Sequence, residues 1–307
     1  MRRISVLPDT VALKMRGVVR LTRWREYVPF VIPVTALGAI LAAQPNDVSL
    51  DWRLAATILA NILAVGYAFM INDIEDAPDD AREAARAARN PITCGELTPR
   101  QGWVASLTVA AVTLAIYSLV GVWPFIIGSL TLGLAHLYSW KPIRLKAWPV
   151  TDVLSHSLML SGLLFLAGYF AYGTNPGLVW LVALAATLLS AYGQLYNQLR
   201  DYDMDKAAGL YNTAIVVGKR NAQLLMYSSV AAALLLMLYA IYMQVIPLWI
   251  VSVPLIVAPI LLFIRSPKTD MRGGSAAEFS GNVQVQFLIL ANTIIAVWLL
   301  AVMLRLA

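Results

Sequence analysis

Two short stretches of this chain carry the residue types that hold hard cations. The first, NDIEDAPDD, spans residues 72–80 and has five carboxylates in nine residues. The second, NQLRDYDMD, spans residues 197–205. Asn72, Asp76 and Asp80 are spaced i, i+4, i+8, and Asn197, Asp201 and Asp205 repeat that spacing 125 residues later. On a helix this spacing stacks side chains on one face, and Asp73 lies beside the first stripe. Like charges this close destabilise one another unless a cation is bound. Mg²⁺ prefers oxygen ligands and is commonly held by a few carboxylates completed by substrate phosphates. The expectation is therefore two acidic stripes facing each other across a Mg²⁺ site. The competing explanation, a solvated acidic helix end balanced by arginines, suits one stripe better than two matching ones. Glu75, Asp79 and Asp203 are expected outside the stripes. Pro78 cannot donate a helical N–H, so the helix is expected to bend or end near it, and the aim of Asp80 depends on that bend.

Basic residues sit on the same side of the chain's layout. YSWKPIRLKAWPVTD carries Lys141, Arg144 and Lys146, with Arg89, Lys206 and Arg23 as further candidates. Arginine forks onto phosphate oxygens and lysine acts as a point charge. Topology alone would also place cations here, so the cluster says more than any member. A diphosphate held by metal and lysine inside an apolar protein implies a substrate with a charged head and an apolar tail, such as a polyprenyl diphosphate. The chemistry would be ionisation of an allylic C–O bond, with metal charge stabilising the leaving group. The remaining carbocation needs a dry pocket and aromatic faces. Tyr67, Phe69, Tyr138, Trp140, Tyr192 and Tyr196 are candidates, although Tyr and Trp at membrane-helix ends commonly form an interfacial belt. No dedicated base stands out, and His136 and His156 are read as packed, hydrogen-bonded histidines.

The elements that must position these groups are membrane helices. The 307 residues are 60% hydrophobic and 13% charged, with mean hydropathy +0.70; soluble domains are about 25% charged. A hydrocarbon core of ~30 Å needs ~20 apolar residues per helix. Nine segments meet or approach this, at 27–44, 52–71, 103–121, 122–140, 151–172, 177–199, 222–244, 246–264 and 285–304. Residues 1–26 form a basic leading segment without a clear signal cleavage site, and 27–307 read as one transmembrane domain. Of the 23 Lys and Arg, all but Arg53 and Arg305 fall in the leading segment and the even-numbered loops. Cytoplasmic loops collect Lys and Arg. The N-terminus and both acidic stripes are thus expected on the cytoplasmic face of a plasma membrane, with the C-terminus outside. The recurrence of the stripe points to two four-helix units, spans 2–5 and 6–9. Single Cys94 excludes an internal disulfide. No nucleic-acid partner is expected, and residues 273–282 are read as a flexible loop without a role.

These residues resemble the UbiA superfamily of intramembrane prenyltransferases. N-D-x-x-D-x-x-x-D is matched by Asn72, Asp73, Asp76 and Asp80, and D-x-x-x-D by Asp201 and Asp205. Y-S-x-x-P-x-R-x-K is matched by Tyr138, Ser139, Pro142, Arg144 and Lys146. The resemblance implies an all-α fold of nine helices around a central cavity, capped on the cytoplasmic side by loops 2–3 and 6–7. It implies Mg²⁺ held by Asp73, Asp76, Asp80, Asp201 and Asp205. Asp73, Asp76, Asp201, Arg144 and Lys146 would carry the chemistry. Asn72, Arg89, Tyr138, Lys141, Asn197 and Lys206 would bind the diphosphate substrate, whose tail enters from the lipid. Two features depart from the family pattern. Asn90 stands between Arg89 and Pro91, and Pro78 interrupts the first motif. They leave the lipophilic acceptor open among an aromatic ring, a quinone precursor, a carotenoid end and a glycerol phosphate. The same ionising apparatus would serve terpene cyclisation without an acceptor. A transporter would place its carboxylates near the bilayer centre, which these helix-end stripes do not.

Overall fold

The computed structural model describes residues 9–46, 48–207, 209–263, 270–271 and 275–306. Among these the chain is almost wholly helical. Helix α1 (Asp9–Thr22) is followed by a short turn and then α2 (Val28–Ala43), the two meeting at 60°. The long α3 (Trp52–Asp80) is followed by the short α4 (Ala84–Arg89). Helices α5 (Pro99–Val120) and α6 (Val122–Ser139) are separated by Gly121 alone. Then come α7 (Thr151–Ser157), a π-helical turn at Leu158–Gly162, and α8 (Leu163–Phe170). Helix α9 (Trp180–Arg200) leads into the short α10 (Tyr202–Ala207) and α11 (Thr213–Val217). Helices α12 (Lys219–Tyr242), α13 (Ser252–Phe263) and α14 (Gln284–Met303) complete the bundle.

Among the described residues seven helices are long and apolar enough to cross a membrane, or eight if the bent α1–α2 pair is one span. The protein is thus a multi-pass membrane protein. The eighth expected segment, 246–264, is not among these helices: the described part of its helix, α13, has 12 residues, a rise of about 18 Å against a core of ~30 Å. Residues 264–269, where that segment was expected to end, lie outside the described residues, as do residues 1–8 of the basic leading segment.

The 29 residues of α3 rise about 43 Å, more than the hydrocarbon core. Its last turns therefore extend beyond the apolar layer and carry residues 72–80 with them. At the opposite end Asp51 caps the helix, accepting a hydrogen bond from the Arg53 N–H at 3.0 Å. Helix α5 starts on a capping box, with Thr98 and Gln101 satisfying each other's backbone N–H and Pro99 in the first turn.

Helices α2 and α8 touch through their backbones. A Cβ on Gly38 would lie 2.1 Å from the Phe165 carbonyl oxygen, and one on Gly168 would lie 2.2 Å from that of Thr35. Small residues permit such close approach in membrane bundles. Gly168→Leu is therefore expected to force the two helices apart, at a cost on the order of 1–3 kcal/mol. It should lower the thermal midpoint in detergent, whereas Gly133→Ala, where a Cβ meets nothing within 4 Å, should not. Equal midpoints for the two variants would contradict this account.

Deep in the bundle, Asn61 ties four helices together. Its Nδ2 donates to Thr35 Oγ1 at 2.6 Å and to the Leu164 carbonyl at 3.0 Å, and its Oδ1 accepts from the Tyr117 hydroxyl. A fully buried amide needs such partners; here they fix the packing of α2, α3, α5 and α8 beneath the acidic end.

Candidate active site

The first motif lies on the last turns of α3, and each of its acids has a distinct partner. Asp73 is buried, with Arg23 Nη1 at 3.4 Å from its Oδ1. Asp76 Oδ2 accepts from Lys146 Nζ at 2.5 Å, and its Oδ1 from Arg144 Nη2 at 3.1 Å. Lys146 Nζ also donates to Asn72 Oδ1 at 2.9 Å, and Ser139 Oγ reaches the same oxygen at 3.2 Å. Burial pulls the Lys146 ammonium below the ordinary lysine value, opposed by the charge of Asp76. Arg144 is held in the left-handed backbone region, with φ 47°, at the turn that brings it back over α3.

Pro78 does not end α3, which runs on to Asp80. What Pro78 removes is the donor to the carbonyl of Ile74, one turn back, and the last turn of α3 forms beyond it without that bond. Asp80 Oδ2 accepts from Asn90 Nδ2 at 2.9 Å. The same Nδ2 lies 2.7 Å from the Asp73 carbonyl oxygen, and Asn90 Oδ1 accepts from the Ile92 N–H at 3.0 Å. Asn90 thus ties the loop after α4 to both ends of the first motif. In the sequence it stood out only as a residue out of place between Arg89 and Pro91.

Glu75 and Asp79, expected outside the stripe, are not idle, and Asp79 shares Arg144 Nη2 with Asp76. Glu75 Oε2 accepts from the Lys141 N–H at 3.4 Å, and Asp79 lies 3.6 Å from Arg144 Nη2. Both hold the turn after α6 against α3.

The second motif is not one straight stripe. Helix α9 ends at Arg200, and Asp201 sits at its C-cap before α10. The Asp201 N–H bonds the Asn197 carbonyl at 3.1 Å and the Asp205 N–H bonds that of Asp201 at 2.8 Å, so the register survives the bend. Arg200 grips both oxygens of Asp201, at 3.1 and 3.2 Å. Asp205 Oδ2 accepts from Asn212 Nδ2 at 3.0 Å. Burial, then the charge of Asp201, pushes the Asp205 carboxyl up to about 6, with Arg86 and Asn212 opposing. Asp203 is exposed and pairs only loosely with Lys219 at 3.8 Å, as expected for a solvated acid.

The helices outside the bundle bring the two motifs' loops together. Arg86 of α4 lies 3.4 Å from the Met204 sulfur of α10. Arg20 of α1 pairs with Glu96 and donates to the Ala88 and Arg89 carbonyls at 3.0 and 3.1 Å. Arg89, Lys141 and Lys206 are exposed. Arg89 is near enough for its charge to act on Asp73; Lys141 and Lys206 make no ion pair among the described residues. Asn197 is half-buried.

The aromatic candidates divide by position. Phe69 stacks on Tyr27 at 5.3 Å between centroids, with the Arg23 guanidinium 4.8 Å over its ring. The Tyr67 hydroxyl lies 2.9 Å from His136 Nδ1, and Trp140 packs on the same imidazole at 5.4 Å. His136 is thus a packed histidine. Tyr138 accepts from Gln194 Nε2 at 3.2 Å and its ring lies 6.2 Å from that of His156. Tyr192 and Tyr196 pack together at 6.2 Å and accept from Gln284 Nε2 and the Ala277 N–H, each at 3.2 Å. A Cβ on Gly281 would lie 2.2 Å from the Tyr196 hydroxyl. The described part of the 273–282 segment is therefore packed onto α9; residues 273 and 274 lie outside the described residues.

One buried group escaped the sequence reading. Asp152, 0% exposed, accepts from the Val153 N–H at 2.8 Å, Gln198 Nε2 at 2.7 Å, the Thr213 N–H at 2.7 Å and the Thr213 hydroxyl. Gln198 Oε1 in turn accepts from the Ala214 N–H at 3.0 Å. This network fastens the loop after the second motif to α7 and α9.

The donor set suits Mg²⁺: carboxylate and amide oxygens, hard and anionic. Asp205 is pushed toward protonation by burial and then by the charge of Asp201, both of which a bound cation would offset. Among the described residues no three Asp, Glu, His or Cys side chains converge as a ready-made metal cage. Mg²⁺ does not require one, because it is usually bound through one or two carboxylates plus substrate phosphates.

The chain is similar to proteins of one known family. The UbiA prenyltransferase family matches residues 31–290. The chain is 29% identical over 211 residues to digeranylgeranylglyceryl phosphate synthase of Natronomonas pharaonis, covering 68% of this chain and 72% of that protein. It is 27% identical over 215 residues to probable homogentisate phytyltransferase 2, chloroplastic, of rice, covering 64% of this chain but only 56% of that protein's length. A solved UbiA homolog from Archaeoglobus fulgidus, bound to GPP and Mg²⁺, superposes with a TM-score of 0.71 at 26% identity, over 94% of this chain and 99% of that one.

Proposed function

Because the chain belongs to the UbiA prenyltransferase family, we propose that it transfers a prenyl group from a polyprenyl diphosphate to a lipophilic acceptor within the membrane. The observation that carries this reading is the Lys146–Asp76–Arg144 cluster at the end of α3. It places two cations and several carboxylates at one end of an apolar bundle, which suits a diphosphate head and a hydrocarbon tail. Asp73, Asp76, Asp80, Asp201 and Asp205 would hold Mg²⁺, which when bound supplies positive charge to the departing diphosphate. Lys146 and Arg144 hold the phosphate oxygens, and Asn72 keeps Lys146 aimed. The C–O electron pair leaves with the diphosphate. The allylic cation is taken by a π bond or lone pair of the acceptor, which then sheds a proton. Tyr67, Phe69 and Tyr138 would face the prenyl tail on the apolar side of this end and keep water from the cation. The paired motifs also support nine spans in two related halves, with the acidic end and the N-terminus facing the cytoplasm.

The test is diphosphate release by purified protein given geranyl or geranylgeranyl diphosphate and a membrane lipid extract. Release should require both Mg²⁺ and the extract, and mass spectrometry should find a prenylated lipid. Release that persists undiminished in EDTA, or none with either donor, would contradict the proposal. A cyclic hydrocarbon formed without extract would replace transfer by cyclisation.

A further inference from the structure

Each acidic motif ends on a carboxylate that forms no salt bridge among the described residues, the charges of Lys146 and Arg86 acting on Asp80 and Asp205 only from further away. Asp73, Asp76 and Asp201 are paired with Arg23, Lys146 and Arg200 at 3.4, 2.5 and 3.1 Å. Asp80 and Asp205 have no Lys, Arg or His nitrogen within 4.0 Å among the described residues. Each instead takes one hydrogen bond from an asparagine further along the chain, Asn90 at 2.9 Å and Asn212 at 3.0 Å.

The two asparagines are built alike. Both are buried, at 2% and 8% exposure. In both, Oδ1 accepts a backbone N–H, from Ile92 and from Ile215, each at 3.0 Å. That bond settles which end of the amide is which, because an oxygen must face the N–H and the NH₂ must then face the carboxylate. Only Oδ2 of each aspartate is used, so the other carboxylate oxygen has no protein partner among the described residues.

We propose that Asn90 and Asn212 are a matched pair of positioning residues. Each fixes the last aspartate of its motif through one oxygen and leaves the other for a divalent cation. The choice of a neutral amide has a physical reason. Lysine or arginine there would also orient the carboxylate, but would cancel the charge that attracts a metal. An amide donor orients it and leaves that charge in place, the role that outer partners of metal ligands commonly serve. The recurrence in both halves, at different sequence distances from the acid, argues against a chance loop contact. This inference rests on the metal–diphosphate reading of the site.

The experiment is Mn²⁺ binding by electron paramagnetic resonance to the detergent-solubilised full chain, with inorganic diphosphate present. Asn90→Ala and Asn212→Ala should each weaken Mn²⁺ affinity about tenfold, in the range found for outer-shell partners, while keeping the metal-free melting transition. Asn90→Ala should add less than about twofold in an Asp80→Asn background, and Asn212→Ala likewise with Asp205→Asn, because coupled residues are not additive. If an alanine variant loses its melting transition, Asn→Ser takes its place with the same expectation. Wild-type affinity in the folded variants overturns the pairing and leaves the metal–diphosphate reading intact. Equal losses in both backgrounds make the asparagines general scaffolding and also overturn it. No Mn²⁺ binding by the wild type with diphosphate overturns both.

Discussion

Asp76→Asn is expected to lower Mg²⁺-dependent diphosphate release by about 10²–10³-fold, the scale of losing one electrostatic partner of a transition state. The loss should fall on kcat. Asp76 engages Lys146 and Arg144 through its two oxygens. Removing its charge leaves these cations free to hold diphosphate more tightly while weakening the metal that helps it leave. The KM for the prenyl diphosphate should therefore stay level or fall, the pattern of a group that matters in the transition state and not in ground-state binding. Lys146→Met should do the reverse first, raising KM, since Lys146 is a direct phosphate contact in this reading. Steady-state assays in membranes across donor concentrations separate the two. Undiminished release by Asp76→Asn would remove this aspartate from the chemistry.

Much of what positions this end of the molecule is legible in the sequence because it is local. The apolar run before Asn72 gives α3, and i, i+4 spacing puts Asp76 and Asp80 on its end without any tertiary information. Lys146 and Arg144 could be placed only on the same side of the membrane. Their contact with Asp76 depends on the turn after α6, where Arg144 takes a positive φ that its sequence does not announce. Pro78 looked like a helix breaker, but α3 runs on past it to Asp80 despite losing the donor to the Ile74 carbonyl. Asp79 looked idle because its partner, Arg144, is remote in sequence.

The least legible groups are those whose partners come from far along the chain. Asn90 reads as a departure from a pattern, and only the folded loop reveals its bonds to Asp80 and to the Asp73 carbonyl. Short α13 shows the matching difficulty for span counting. Hydropathy marks an apolar stretch but does not say where its helix begins and ends, and of the 246–264 stretch only 12 described residues form α13.

Asp152 is the extreme case, a lone acid at the start of an apolar span, and its replacement should cost the most stability. Asp152→Ala would leave the Gln198 amide and the Thr213 N–H buried without their acceptor. Each such group costs about 1–3 kcal/mol, and breaking a buried charged network typically costs about 3–5 kcal/mol. Asp152→Asn should do little better. Both oxygens of Asp152 receive donors, with Val153 and the Thr213 hydroxyl on Oδ1 and Gln198 and the Thr213 N–H on Oδ2. Whichever way the amide turns, its NH₂ meets a donor. Asp203→Asn, at an exposed side chain, should leave the melting transition where it is. The Asp152 variants should also weaken the site, because Thr213 adjoins Asn212, and Asn212 holds Asp205. Thermal melting in detergent, read alongside Mn²⁺ affinity, should therefore show both quantities falling together for Asp152→Asn. An Asp152→Asn protein that melts with the wild type would mean that the loop after the second motif is held by something other than this carboxylate.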